Sequence, residues 1–183
     1  MNEKEKMISQ ELYNSNDKTL VEEREFAKML CYEFNNTTPN LMEKRNEILS
    51  KLLGKIGDNT LIEQPFLCDY GYNIEIGNNF YSNHNLIILD PAKVTFGDNV
   101  FIGPNCSFYT PEHPIDAQTR NKGLEYAKEI KIGNNVWFGG SVTVLSGVTI
   151  GDNVVIGAGS VVVKDIPSNS LAVGNPCKVI KNI

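Results

Sequence analysis

Residues 131–167 read KIGNNVWFGGSVTVLSGVTIGDNVVIGAGSVVVKDIP, and Ile132, Phe138, Val144, Ile150, Ile156 and Val162 recur in them every six residues. Most of these apolar residues are followed by a small one. A period of six is neither the 3.6 of a helix nor the plain alternation of a strand. It describes a short strand and a tight corner, repeated, as in hexapeptide β-helices. The triplet Gly-(Asn/Asp)-Asn occurs at Gly133-Asn134-Asn135 and again eighteen residues later at Gly151-Asp152-Asn153. Gly and Asn tolerate the left-handed backbone of a sharp corner. One corner type per three hexads means three strands per coil and a triangular cross-section. A β-sandwich with glycine turns would not hold its strands to a strict six.

Two further triplets, Gly97-Asp98-Asn99 and Gly77-Asn78-Asn79, carry the pattern backwards. The step from 97 to 133 is thirty-six residues, twice the ordinary coil, and it contains PEHPIDAQTRNKGLEYAK at 111–128. Those eighteen residues lack the hexad and carry two prolines, so they are expected to form a structureless excursion, functional or disordered, from an otherwise ordinary coil. The step from 77 to 97 exceeds eighteen by two, which predicts a widened corner near Asp90-Pro91.

The first 55 residues read differently. Helices are predicted over 4–13, 20–35 and 39–53, the second with an apolar stripe at Ala27, Leu30, Cys31 and Phe34. Asp17 is placed to cap the second helix; Thr38, with Pro39 behind it, is placed to cap the third. The expected division is a helical cap over 1–55 and a β-helix over 56–183, its pattern fading in a C-terminal segment at 168–183. There Val179-Ile180 can add a last short strand. A cap would cover the unpaired strand edge at the open end of the coil.

With 17 Lys and Arg against 22 Asp and Glu the net charge is −5, so nothing points to nucleic acid. No apolar run approaches a membrane span, and MNEKEKMISQ has no signal-peptide core. The four cysteines, Cys31, Cys68, Cys106 and Cys177, have neither CxxC nor disulfide-framework spacing. A cytoplasmic protein with free thiols and no metal is expected. The two histidines, His84 and His113, are too few for a three-histidine zinc site. His84 falls within the coil register and is expected to pack or face solvent. His113 stands at the foot of the excursion, free to act as a general base.

The segments LYNSNDKTL (12–20), CDYGYNIEIGNNFYSN (68–83), EHPID with RNKG, IGNNVWFGG (132–140), GVTIGDNVVIGAGSVVVKDIP (147–167) and GNPCKVI (174–180) carry a family resemblance. The chain resembles the maltose/galactoside O-acetyltransferases, which are hexapeptide-repeat acyltransferases with a left-handed β-helix, and it resembles the maltose enzymes more. The resemblance implies a left-handed coil, against the usual right-handed crossover, and a homotrimer with active sites between neighbouring coils. It implies acetyl-CoA as co-substrate and a sugar as acceptor. His113 matches the family's catalytic base. Asn83, Ala158, Val163, Lys164, Lys178 and Lys181 match positions lining the CoA groove, and a backbone N–H at Gly139-Gly140 would hold the oxyanion. Arg24, Asp69, Tyr81 and Asp90 are the candidate sugar contacts. Two departures concern the acceptor: Ser15 or Asp17 falls where the galactoside enzymes have a substrate-binding aspartate, and Pro91 stands where they have a second one. Trp137, just before a core position, should face outward at the trimer interface. The rival readings are transfer to another hydroxyl, of an antibiotic or serine, and a non-catalytic hexapeptide scaffold.

Overall fold

The computed structural model describes all 183 residues. Three parallel sheets form the faces of a prism, and the chain visits them in turn. The first face stacks Ile74–Ile76, Val94–Phe96, Ile130–Ile132 and Thr149–Ile150. The second stacks Leu61–Ile62, Tyr81–Ser82, Phe101–Ile102, Val136–Phe138, Val154–Ile156 and Ser170–Val173. The third stacks Phe66–Cys68, Leu86–Leu89, Ser107–Tyr109, Thr143–Val144 and Val161–Val162. Strand alternation sends every second side chain inward. The hexad residues therefore meet in one core, along which Phe80, Phe96, Phe108 and Phe138 make edge-to-face contacts with centroids 5.3, 5.0 and 5.3 Å apart.

The corner between the first and second faces is built by the Gly-Asx-Asn triplets. Asn79, Asn99, Asn135 and Asn153 have φ of 56, 57, 56 and 54°. Their side chains form a ladder, with Asn79 donating to Asn99 and Asn99 to Asn135, both at 3.1 Å. The glycine is required by the coil above: a Cβ on Gly97 would lie 2.5 Å from the Asn134 side-chain oxygen and 2.8 Å from the Gly133 carbonyl carbon.

The outward rows differ in chemistry from face to face. On the first face the register aligns Glu75, Thr95, Lys131 and Thr149. On the second it aligns Leu61, Tyr81, Phe101, Trp137, Val155 and Leu171. Phe101 is 50% and Trp137 57% exposed, so Trp137 faces outward as expected.

The helical cap is α1 (Glu3–Ile8), α2 (Lys18–Asn36) and α3 (Met42–Leu52). Cys31 and Phe34 of α2 join Ile48, Leu49 and Leu52 of α3 in the main core, against Ile62 and Phe66. The Asn35 side chain accepts from the Phe66 N–H at 2.8 Å and donates to its carbonyl at 2.9 Å, satisfying backbone groups that the edge strand would leave unpaired. Buried Arg45 donates to the Ile62 carbonyl at 2.7 Å in the same way. No helix is long and apolar enough to cross a membrane. All four cysteines are free and buried, and Cys31 and Cys68, though distant in sequence, have sulfurs 3.7 Å apart between α2 and the third face.

Several expectations need correction. The first helix stops at Ile8, where a turn follows with Gln10 at φ 61°, and residues 13–14 form a strand. Asp17 caps α2 by accepting from the Thr19 N–H at 3.0 Å, but Thr38 does not cap α3. Thr38 accepts from the Leu41 N–H through its carbonyl, so Pro39 lies in a turn and Leu41 opens the helix without a side-chain cap. Two coils are widened, not one: Leu61 pairs with Tyr81 and Tyr81 with Phe101, each a step of twenty residues, before the step falls to eighteen between Trp137 and Val155. The coil also outlasts its hexad pattern, since Ser170–Val173 still stacks in parallel on Val154–Ile156. Lys178–Asn182 then turns back on it antiparallel. The excursion is not structureless. Pro111–Glu112 pairs antiparallel with Leu124–Ala127, and a short helix, Ala117–Arg120, caps the ribbon.

Candidate active site

The excursion leaves the coil at the corner between the third and first faces, where the two widened corners also lie. Asp90 organises this corner from inside. Its carboxylate accepts the backbone N–H groups of Asp69, Tyr70 and Gly71 at 3.0, 2.8 and 2.8 Å. Asn73 closes the loop by donating to the Asp90 carbonyl at 2.8 Å. Burial pushes the Asp90 carboxyl up to about 7 against the pull of these donors. The residue has no exposed surface. As a sugar contact it is corrected: every oxygen is committed to the adjacent coil. Pro91 behind it is buried as well.

His113 is the next residue after Glu112, and its ring projects from the ribbon with the side chain 57% exposed. Glu112 fixes the foot of the ribbon. It accepts from Tyr126 at 2.6 Å and Lys128 at 3.3 Å, and from the Ser146 hydroxyl on the coil. Burial alone would raise its carboxyl, but these three donors outweigh it and hold Glu112 below the usual range. Behind His113 stands Glu125, whose Oε2 lies 3.8 Å from the imidazole Nε2 and whose side chain is only 14% exposed. Sequence reasoning misses Glu125, because a structureless excursion gives it no partner. The available signal is Gly123, which takes φ +75° at the turn, followed by the strand Leu124–Ala127.

The neighbouring wall belongs to the helical cap. Arg24 of α2 donates to the Tyr70 hydroxyl at 2.7 Å and to the Ser15 carbonyl at 2.6 Å. Asp69 shares this corner and keeps part of its surface. Burial raises its carboxyl to about 6, opposed by the charge of Arg24 and reinforced by that of Glu125. Arg24, Asp69, Glu125 and His113 thus form one polar group at the third corner.

The remaining candidates stand elsewhere. Tyr81 and Asn83 line a shallow cleft of about 390 Å³ on the second face with Phe101, Gly103 and Trp137. The corner beyond that face carries His84, Pro104, Gly140 and Ala158, stacked in that order by the parallel register. The His84 ring faces the Gln64 carbonyl at 2.6 Å, the structural role expected of it. Val163 and Lys164 are exposed where the third face ends, and Lys178 and Lys181 lie on the last strand. Within one chain, the group around His113 and the Gly139-Gly140 corner are separated by the width of the third face, roughly 15–20 Å for five or six extended residues. No group of three or more His, Cys, Asp or Glu side chains is arranged to hold a metal ion.

Residues 6–57 match the maltose acetyltransferase hexapeptide capping motif, and residues 129–164 match the bacterial transferase hexapeptide of six repeats. The crystal structure of a maltose O-acetyltransferase from Clostridium difficile 630 is 57% identical, superposes with a TM-score of 0.99, and is matched over 98% of its length by the whole of this chain. The galactoside O-acetyltransferase of Escherichia coli K12 is 46% identical over 179 residues, which are 98% of this chain and 88% of that protein. This chain belongs to the maltose/galactoside acetyltransferase family. A galactoside acetyltransferase solved in complex with coenzyme A is 45% identical with a TM-score of 0.96, covering all of this chain and 92% of that one. The coil is accordingly the left-handed parallel β-helix of hexapeptide acetyltransferases, and the protein is an acetyltransferase. Its left-handed sense runs against the rule for βαβ crossovers, which depends on a helix packing back on a twisted sheet. Here three-residue corners replace the helix, and their repeated positive-φ asparagines set the turn.

Proposed function

We propose that this acetyltransferase moves the acetyl group of acetyl-CoA directly to a hydroxyl of a small sugar, with His113 as general base. The observation that carries the reading is an exposed imidazole backed by a carboxylate and set beside a polar wall of Arg24 and Asp69. The ring nitrogen turned away from Glu125 takes the proton as the sugar oxygen attacks the thioester carbonyl. The C–O bond forms, the carbonyl oxygen becomes an oxyanion, and the C–S bond breaks as it collapses. The imidazolium returns its proton to the departing CoA thiolate. No acyl-enzyme is required, since the thioester is already activated and the hydroxyl needs only a base and placement. Glu125 supports the charge that His113 gains at the moment of attack.

The bound-coenzyme relative supports a CoA groove on this family's coil. Asn83, Gly140, Ala158, Val163, Lys164, Lys178 and Lys181 are the proposed lining, with the lysines facing CoA phosphates as point charges. A backbone N–H of the Gly139-Gly140 corner would hold the oxyanion. Since that corner and His113 stand a face apart in one chain, the reading calls for a neighbour to supply one of them. A homotrimer satisfies this by setting the third corner of one chain against the second corner of the next. The apolar row from Leu61 to Leu171 provides a surface to bury there, whereas the first face is polar. Sedimentation equilibrium at micromolar concentration is expected to give the mass of three chains; a monomer that still turns over would sink the shared site. The four free cysteines suit a reducing compartment such as the cytoplasm.

The test is release of CoA thiol from acetyl-CoA with maltose, glucose or a galactoside, and with product identification. A rate that depends on sugar and yields an O-acetyl ester is expected. Release that ignores sugar but follows serine or an antibiotic hydroxyl would assign the other acceptor class.

Asp69 gives the reading a pH signature. It is ionised above about 6 and can then accept hydrogen bonds from sugar hydroxyls. The KM for sugar is expected to rise as pH falls through about 6 while the KM for acetyl-CoA holds, and Asp69→Asn should abolish that dependence. A sugar KM flat across this range in the native protein removes Asp69 from the acceptor site.

A further inference from the structure

We infer that Tyr13, at the N-terminal edge of the chain, is a positioning residue for His113, acting through Glu125; this rests on the reading of His113 as the base. The segment Tyr13–Asn14 is a strand that pairs antiparallel with Leu124–Ala127 of the excursion, and the register sets Tyr13 directly opposite Glu125. Directly opposed residues project to the same side of a sheet, so the register delivers the phenol to the carboxylate. A slip of one residue would send both to the other side. The Tyr13 hydroxyl donates to Oε1 of Glu125, the oxygen that His113 does not face. The two carboxylate oxygens are thereby divided, with Oε1 held by the phenol and Oε2 presented to the imidazole.

The phenol is itself held. Tyr13 has no exposed surface and packs with Met7, Leu20 and Tyr70, a small core of its own formed by α1, α2 and the first widened corner. Burial and the neighbouring Glu125 carboxylate both raise the phenol well above its ordinary value, so it stays a donor. The same corner brings in Asp69, whose negative charge opposes that of Glu125. A donor on Oε1 offsets this crowding and keeps the carboxylate in place for an imidazolium. An acid beside a titrating histidine is useful only when its oxygen is fixed. The cap therefore does more than close the prism: through the 13–14 strand it reaches across the third corner to the base.

The test is a double-mutant cycle on the intact protein with saturating acetyl-CoA and sugar. Tyr13→Phe keeps the ring and its packing and removes only the hydroxyl. It is expected to lower kcat about tenfold, the order found when a hydrogen-bonded partner behind a functional histidine is removed at metal sites, with the KM for acetyl-CoA unchanged and the melting temperature nearly so. Glu125→Ala should lower kcat at least as much, and Tyr13→Phe added to it should cost nothing further, because the phenol then has no carboxylate to hold. Equal losses from Tyr13→Phe in both backgrounds, or a kcat within twofold of native, overturn the inference. His113→Ala run beside them separates the two levels: its retention of activity would remove the base, whereas its loss with Tyr13→Phe unaffected would remove only the phenol.

Discussion

His113→Ala is expected to lower kcat by ~10²–10⁴, the usual contribution of a positioned general base, equivalent to about 3–5 kcal/mol of barrier. The fold and the affinity for acetyl-CoA should survive. His113 sits on the excursion with most of its side chain in solvent, and its ion-pair partner is Glu125 at 3.8 Å. It is not a member of the main hydrophobic core. His84→Ala is the comparison: that ring's hydrogen bond is to the Gln64 carbonyl, and a loss at His84 is expected to appear in the KM for acetyl-CoA and not in kcat. A folded His113→Ala protein retaining nearly full turnover would leave direct transfer without a base and refute the mechanism. Circular dichroism and the melting temperature secure the folded state in both variants.

Asp90→Ala is expected to be strongly destabilising although the residue lies outside the apolar core. It leaves three N–H groups, of Asp69, Tyr70 and Gly71, without their acceptor. Each unmade buried bond costs roughly 1–3 kcal/mol, so the loss of three is on the order of 3–9 kcal/mol. For a chain of this size that is a fall of roughly 10 °C or more in melting temperature. The pH dependence has a definite sign. The folded carboxyl titrates near 7 against an ordinary 3.8, so the native state holds its proton more tightly than the unfolded chain does. The contribution of Asp90 is then complete below the unfolded value and declines as pH rises from about 4 to about 7. The gap in stability between native and Asp90→Ala should therefore be wider near pH 5 than near pH 8, groups not coupled to Asp90 cancelling in the difference. A variant melting within 2 °C of the native protein, roughly 1 kcal/mol or less, would show that the corner does not depend on this carboxylate. Damage to activity is expected as a consequence, since Asp69 is held by the same bonds.

The contrast between those two residues shows where the sequence is legible. The exposure of His113 can be read ahead of the structure because a residue outside the hexad, beside prolines, has little structural work to do. Asp90 breaks the same hexad, and its acidity reads as a hydrogen-bond acceptor for a ligand. It is an acceptor, but for the coil beside it. Nothing in its local sequence distinguishes the two, since the three amides it serves lie about twenty residues away and converge only when widened corners stack. Thr38 misleads for a related reason. Residue type and spacing favour it as a cap, while the turn at Leu41 is set by its bond to the Thr38 carbonyl.

By itself the sequence determined the prism, its core and the place of the excursion, because these follow from a period of six and from corners that only Gly and Asn fill easily. Such features depend on each residue's near neighbours in the chain and repeat themselves, so one coil announces the next. Tertiary structure alone decided the partners of the carboxylates: Glu125 behind His113, Tyr13 on Glu125, Asp90 within its corner. Tyr13 and Glu125 are 112 residues apart and meet through the register of one short antiparallel pair. A carboxylate's role depends on which donors the fold lays against it, and that information lies between the segments, not within any one of them.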